Sequence, residues 1–158
     1  MKNVLSLDKR LEIAALSMFA ILLGFSIYLY FNLPETIATH FNAVGNADAY
    51  GPKSTVFILP GIYLFLQLLM STISQSTDLF NVPMKLTAEN KERQLQLGRR
   101  FILVLRIVVG FIFLSIEFAA YGLGDKTDND LSIWLLPLIV LLLAIPIVGY
   151  IVLARRAR

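Results

Sequence analysis

Four long apolar stretches, residues 11–33, 56–74, 101–121 and 133–153, alternate with shorter polar segments along this 158-residue chain. As helices rising about 1.5 Å per residue, each is long enough to cross a hydrocarbon core roughly 30 Å thick. The pattern predicts an all-α integral membrane protein, a four-helix transmembrane bundle running up and down as one membrane domain over residues 1–158. An ordered extracytoplasmic loop (34–55) and a cytoplasmic loop (75–100) separate the first three spans. Basic residues precede the first span, as in a signal peptide. That span is about twice the usual apolar length and runs into Leu33-Pro34-Glu35 rather than a small-residue cleavage site, so it reads as an uncleaved anchor.

Polar positions inside the spans say which faces turn toward protein. Tyr63, Gln67 and Ser71 recur every fourth position in the second span and share one face. In lipid such a face is expected to pack on a neighbouring helix. Ser54 or Thr55 is expected to cap this helix, and Pro60-Gly61 to kink it. The third helix is expected to start in the cytoplasm after Asn81-Val82-Pro83, with Thr87 as its cap and Glu89 paired to Arg93 one turn on. Continued to Tyr121 it would be on the order of 50 Å long. Arg106 and Glu117 lie inside this third span, where an ionisable side chain costs at least about 2.5 kcal/mol near the centre. They share a face but stand roughly 16 Å apart along the axis, so each needs a partner elsewhere. Arg106 lies at the depth of Gln67, so a hydrogen bond between them is one expectation, and snorkelling of Arg106 to lipid headgroups is the other. Span four contains no charged residue and is expected to be the most lipid-exposed.

Composition sharpens this picture. Hydrophobic residues make up 57% of the chain and its mean hydropathy is +0.71, too apolar for a soluble domain of this length. There is no cysteine, which removes disulfides, thiolate ligands and cysteine nucleophiles. Eleven of the 14 basic residues fall in the N-terminal arm, the second loop and the C-terminal tail. By the positive-inside rule both termini are expected in the cytoplasm, with the protein in a plasma membrane. Tyr28, Tyr30, Tyr121 and Trp134 then sit at outer interfaces and Tyr150 at an inner one. The net charge of +3 follows from this topology and calls for no nucleic acid.

The outer loop carries the candidate chemistry. Thr36 to Phe41 is β-branched and aromatic, so a short extended piece is expected, and Asn42 to Gly51 is turn chemistry. A loop of about 20 residues is long for adjacent helices, and such loops tend to be functional. The only histidine, His40, stands here with Glu35 and Asp48, and Glu117 is expected below them. Together these offer oxygen and nitrogen ligands for a divalent cation. Alternatively, His40 and Asp48 hydrogen-bond loop backbone, Phe41 and Tyr50 press the loop onto the bundle, and Gly45 and Gly51 supply left-handed positions. No cofactor is indicated.

Leu33-Pro34, His40-Phe41, Gly45, Asp48, Tyr50-Gly51 and Lys53 resemble the signature of a bacterial and archaeal family of small membrane proteins of unknown function. That family forms the N-terminal part of the sporulation-delaying-protein immunity (SdpI-like) proteins. The stretch Asn81-Val82-Pro83, Thr87, Glu89-Asn90, Gln94 and Arg99-Arg100 resembles the approach to the family's third helix, and the whole similarity covers roughly residues 18–120. Ala38 stands where members often have proline, and the immunity proteins continue into further helices. The resemblance implies a membrane-embedded immunity or signalling role and no catalytic residue. Three readings follow. The first is a non-enzymatic protein whose outer loop (His40, Phe41, Gly45, Asp48, Tyr50, Lys53, with Glu117 beneath) recognises a peptide toxin, a lipid or another membrane protein. In it the basic cytoplasmic helix contacts a repressor or anionic lipid. The second is a transporter or channel element using Arg106, Gln67 and Glu117, which four helices would need a homo-oligomer to build. The third is a metal-dependent membrane enzyme using His40, Asp48 and Glu117.

Overall fold

The computed structural model describes residues 2–42, 46–76, 83, 85–121 and 130–157, with side chains excepted at 2–6 and 130–134. Among these residues four helices are long and apolar enough to cross a membrane: α1 (Lys2–Asn32), α2 (Ile58–Gln75), α3 (Lys91–Tyr121) and α4 (Asp130–Arg156). The chain is therefore a multi-pass membrane protein that is largely helical. Among the described residues the departure from all-α is a two-stranded antiparallel hairpin between α1 and α2, with strands β1 (Thr36–Phe41) and β2 (Ala47–Pro52).

Local chemistry accounts for the helix ends. The last α1 bond runs from the Leu33 amide to the Leu29 carbonyl. Pro34 disfavours helical backbone at the preceding residue and stops the helix there. Asn32 Nδ2 donates to the Tyr28 carbonyl at 2.8 Å, satisfying one of the orphaned acceptors of the last turn. The second helix begins differently from expectation. Neither Ser54 nor Thr55 caps it; a 3-10 turn, Lys53–Phe57, leads into α2. The Thr55 hydroxyl donates back to the Pro52 carbonyl. α2 runs unbroken through Pro60-Gly61, because Pro60 falls in the first turn, where amides lack intrahelical partners anyway.

The start of α3 is a reciprocal cap. The Thr87 amide donates to Asn90 Oδ1, and the Asn90 amide donates to Thr87 Oγ1, with asparagine in the capping-box position that usually holds Glu or Gln. The Thr87 hydroxyl bonds the Glu89 carboxyl and holds it below the usual carboxylate range. Glu89 thus serves the cap, and the expected Glu89–Arg93 pair is not among the ion pairs of the described residues. The Asn81-Val82 break lies outside the described residues. With 31 residues, α3 is roughly 45 Å long, slightly shorter than expected because residues 88–90 form a turn.

α3 is the central rod: α1, α2 and α4 all pack against it. α1 and α3 run parallel, since Asp8 meets Arg100 near their N-termini and Ser26 meets Glu117 near their C-termini. α4 is the most exposed span, with none of its apolar window buried. It is held at its C-terminus by Gln94 Nε2, which donates to the Ala154 and Ala157 carbonyls, and by Tyr150 stacked on Phe101. The side chain of Trp134 lies outside the described residues.

Much of what is buried is polar. Arg106, Tyr63, Gln94, Glu117 and Ser26 rank with Leu22 and Leu103 as the largest fully enclosed side chains, while leucine, isoleucine and phenylalanine side chains cover the outside. That distribution suits lipid, which supplies no hydrophobic drive between helices and leaves close packing and hydrogen bonds to hold them. Close packing centres on Gly110, where a methyl group would overlap the Tyr63 hydroxyl and Met18 Cγ; at Gly24 nothing stands within 4 Å.

The two glycines should respond oppositely to one methyl group. Gly24→Ala is expected to raise stability by up to about 1 kcal/mol through helix propensity. Gly110→Ala should lose about 1–3 kcal/mol to overpacking. Thermal unfolding of the two variants in detergent checks the sign.

Candidate functional site

The hairpin is attached to the bundle by its inner side. Ile37 is its buried residue, packed with Leu29 of α1 and Val56, and ringed by Phe25, Tyr30, Leu33, Phe57 and Tyr121. Pairing sets Ile37 opposite Gly51 and Ala38 opposite Tyr50. Strand alternation then puts Tyr50 on the face opposite Ile37, and it is 68% exposed. Three polar ties fix the base. The Tyr121 hydroxyl donates to the Ala38 carbonyl at 2.7 Å. The Lys53 amide donates to the Glu35 carbonyl. Lys53 Nζ reaches Glu35 at 2.9 Å and lies 5.0 Å from the Tyr30 ring centroid, within the range of a cation–π contact.

Two irregularities shape the outer part. Between Ala38–Tyr50 and His40–Ala49 the first strand carries an extra residue, Thr39; between His40–Ala49 and Phe41–Ala47 the second carries Asp48. The slips cancel, so the original register returns at Phe41. This double bulge brings the His40 ring to the Asp48 carboxylate, Nδ1 to Oδ1, on an exposed surface. The expectation that both would bond loop backbone is thereby corrected: they bond each other. Phe41 and Tyr50 do not press onto the bundle either; both are exposed, and Ile37 takes that role. Gly51 has no left-handed backbone. It is needed for space, since a Cβ there would lie 3.0 Å from Thr39 Cγ2. Gly45 lies outside the described residues.

Beneath the hairpin, a polar seam runs along the face that α1 and α3 share. Arg106, 2% exposed, donates from Nε to Gln67 Oε1 and from its terminal nitrogen to Glu12 Oε1, the latter at 2.8 Å. Gln67 Nε2 donates to the Ala15 carbonyl, and the Tyr63 hydroxyl donates to the Arg106 carbonyl. The expected Gln67–Arg106 bond is therefore present, and three helices meet at it. Closer to the helix starts, Arg100 binds Asp8 at 2.8 Å. Toward the hairpin, Glu117 is 1% exposed and bonded to Ser26.

Glu117 does not join His40, Asp48 and Glu35. Among the described residues no three His, Asp or Glu side chains converge as metal ligands; Glu35 is engaged with Lys53, and Glu117 is enclosed between α1 and α3. Sequence reasoning missed Glu12, Ser26 and Tyr121 as partners. A signal was there for the first two. Asp8, Ala15, Leu22, Ser26 and Leu29 are all buried and stand on one heptad-like seam of a packed helix, on which Glu12 falls as well, one turn after Asp8.

Residues 18–64, from mid-α1 through the hairpin into α2, match a family described as a domain of unknown function (DUF1648). An uncharacterized protein of Archaeoglobus fulgidus is 27% identical over 116 residues, a match spanning 65% of this chain and 63% of that relative. The chain thus spans less than two thirds of the relative's length. No solved structure matches significantly.

Removing one partner of a buried ion pair typically costs about 3–5 kcal/mol. Arg106→Met should fall in that range, because it also orphans Gln67 Oε1. Glu12→Gln should cost less, since Glu12 is partly exposed. The double variant should cost clearly less than the sum. Unfolding in mixed micelles across the four-member cycle measures this coupling.

Proposed function

We propose that this is a non-enzymatic plasma-membrane protein that recognises a partner on the outer side of the membrane through its hairpin, in an immunity or signalling role. The carrying observation is the contrast between the hairpin's two sides. Its inner side is tied to α1, the Lys53–Phe57 turn and α3 by Ile37, Lys53 and Tyr121. Its outer side presents Phe41, Tyr50 and the His40–Asp48 pair to solvent. A rigidly mounted surface with two aromatic rings and a polar pair suits recognition, since little ordering entropy is lost on binding.

Orientation follows from charge. Lys91, Arg93, Arg99, Arg155 and Arg156 are exposed at the bundle end opposite the hairpin, which the positive-inside rule assigns to the cytoplasm. They would meet anionic headgroups or a cytoplasmic repressor there. The resemblance to the SdpI-like immunity proteins makes a membrane-active peptide the favoured outer partner. Arg106, Gln67 and Glu12 serve as the interhelical tie, and Lys53 and Glu117 support the recognition surface from below.

Because the chain lacks cysteine, Ala47→Cys gives a single label on the hairpin. It should react in intact cells with a membrane-impermeant maleimide; reaction only after permeabilisation would place the hairpin inside and end the recognition reading. A photo-crosslinking residue at Tyr50 should capture a peptide or membrane protein in cells, with His40→Ala lowering the yield and leaving the melting temperature unchanged. Cells lacking the gene should become more sensitive to membrane-active peptides.

A further inference from the structure

The hydrogen count at Glu117 does not close if its carboxyl is ionised. Ser26 Oγ lies 2.8 Å from Glu117 Oε1, 2.9 Å from Oε2 and 3.0 Å from the Leu22 carbonyl. A serine hydroxyl has one hydrogen and two acceptor lone pairs, so three oxygens crowd around a single hydrogen. Both side chains are enclosed, Ser26 at 0% and Glu117 at 1% exposure. A buried carboxylate holding half a hydrogen bond is a costly arrangement.

Among the described residues nothing charged faces it in compensation. On α3, Arg106 is eleven residues away and engaged by Glu12 and Gln67, and Tyr121, one turn on, directs its hydroxyl to Ala38. On α1, Asp8 and Glu12 lie near the other end of the helix, with Asp8 bound to Arg100. The α2 tyrosine, Tyr63, is bonded to the Arg106 carbonyl. In and below the hairpin, Glu35 and Lys53 pair with each other, as do His40 and Asp48. The described side chains of α4 through Ala154 are uncharged.

One added proton completes the pattern. We propose that Glu117 and Ser26 form a proton-binding site inside the bundle, with the Glu117 carboxyl carrying its proton at neutral pH. Its hydroxyl donates to Ser26 Oγ, and the Ser26 hydroxyl donates to the Leu22 carbonyl. Every hydrogen then has an acceptor, and no net charge sits between α1 and α3. Loss of the proton would place an unpaired anion one helical turn below the Tyr121 tie to the hairpin.

Infrared difference spectroscopy of the protein in lipid vesicles tests this directly. The spectrum at neutral pH minus that of Glu117→Gln should contain the carbonyl stretch of a neutral carboxyl group. Ser26→Ala, which removes the acceptor, should move that band to higher frequency. Glu117→Gln keeps the donor and should fold with unchanged thermal stability, whereas Glu117→Ala should not. A carboxylate signal with no neutral carbonyl band at neutral pH would overturn the proposal. So would a neutral band seen only after sodium is removed, which would make the occupant a metal cation instead.

Discussion

A guanidinium in an apolar span must find its hydrogen-bond acceptors inside the protein, and Arg106 does so on two other helices at once. Glu12 comes from α1 and Gln67 from α2, so the cost of burying one charge is offset only when all three helices are in place. Arginine suits this position because its planar fork serves two acceptors in different directions. The remaining contacts fall into line around it. Gln67 turns its amide to the Ala15 carbonyl, and Tyr63 turns its hydroxyl to the Arg106 carbonyl. Gly110 clears the space that the tyrosine ring occupies. Relative height and rotation of α1, α2 and α3 are thereby specified by directional bonds, which a uniform stripe of leucines in lipid would not do.

The same logic explains why the hairpin can be firm without a core of its own. Two isolated strands are marginal in water. Here Ile37 borrows the packing of Leu29 and Val56, and the tyrosine at the end of α3 reaches across to the strand backbone. The scaffold that Arg106 organises at one depth therefore fixes, some four helical turns away, the surface on which the proposed recognition depends.

Much of this was legible in the residues, and the misses have physical causes. The spans, the buried face of α2, the Gln67–Arg106 bond and the exposure of α4 all follow from periodicity and depth, which a linear pattern encodes. Ala-Asp-Ala-Tyr-Gly-Pro, the strand Ala47–Pro52, has little β propensity and reads as turn; pairing with β1, a tertiary effect, makes it extended. Hydrophobicity alone turns Phe41 and Tyr50 inward, but the face a strand residue takes depends on register, and the two bulges decide that. Glu12 escaped notice at the margin of an apolar window, where a charge looks interfacial until the arginine that needs it is placed opposite. The proposed recognition surface rests on three-dimensional exposure and is only partly visible in the sequence, as an unusually long loop.

The acceptor for Tyr121 is a main-chain oxygen, which any residue at position 38 would offer. Proline, common at the corresponding place in the proteins this loop resembles, would keep that oxygen just as alanine does. This one tie is thus insulated from side-chain drift at position 38, and the outward-facing surface can change while the anchor on α3 stays the same.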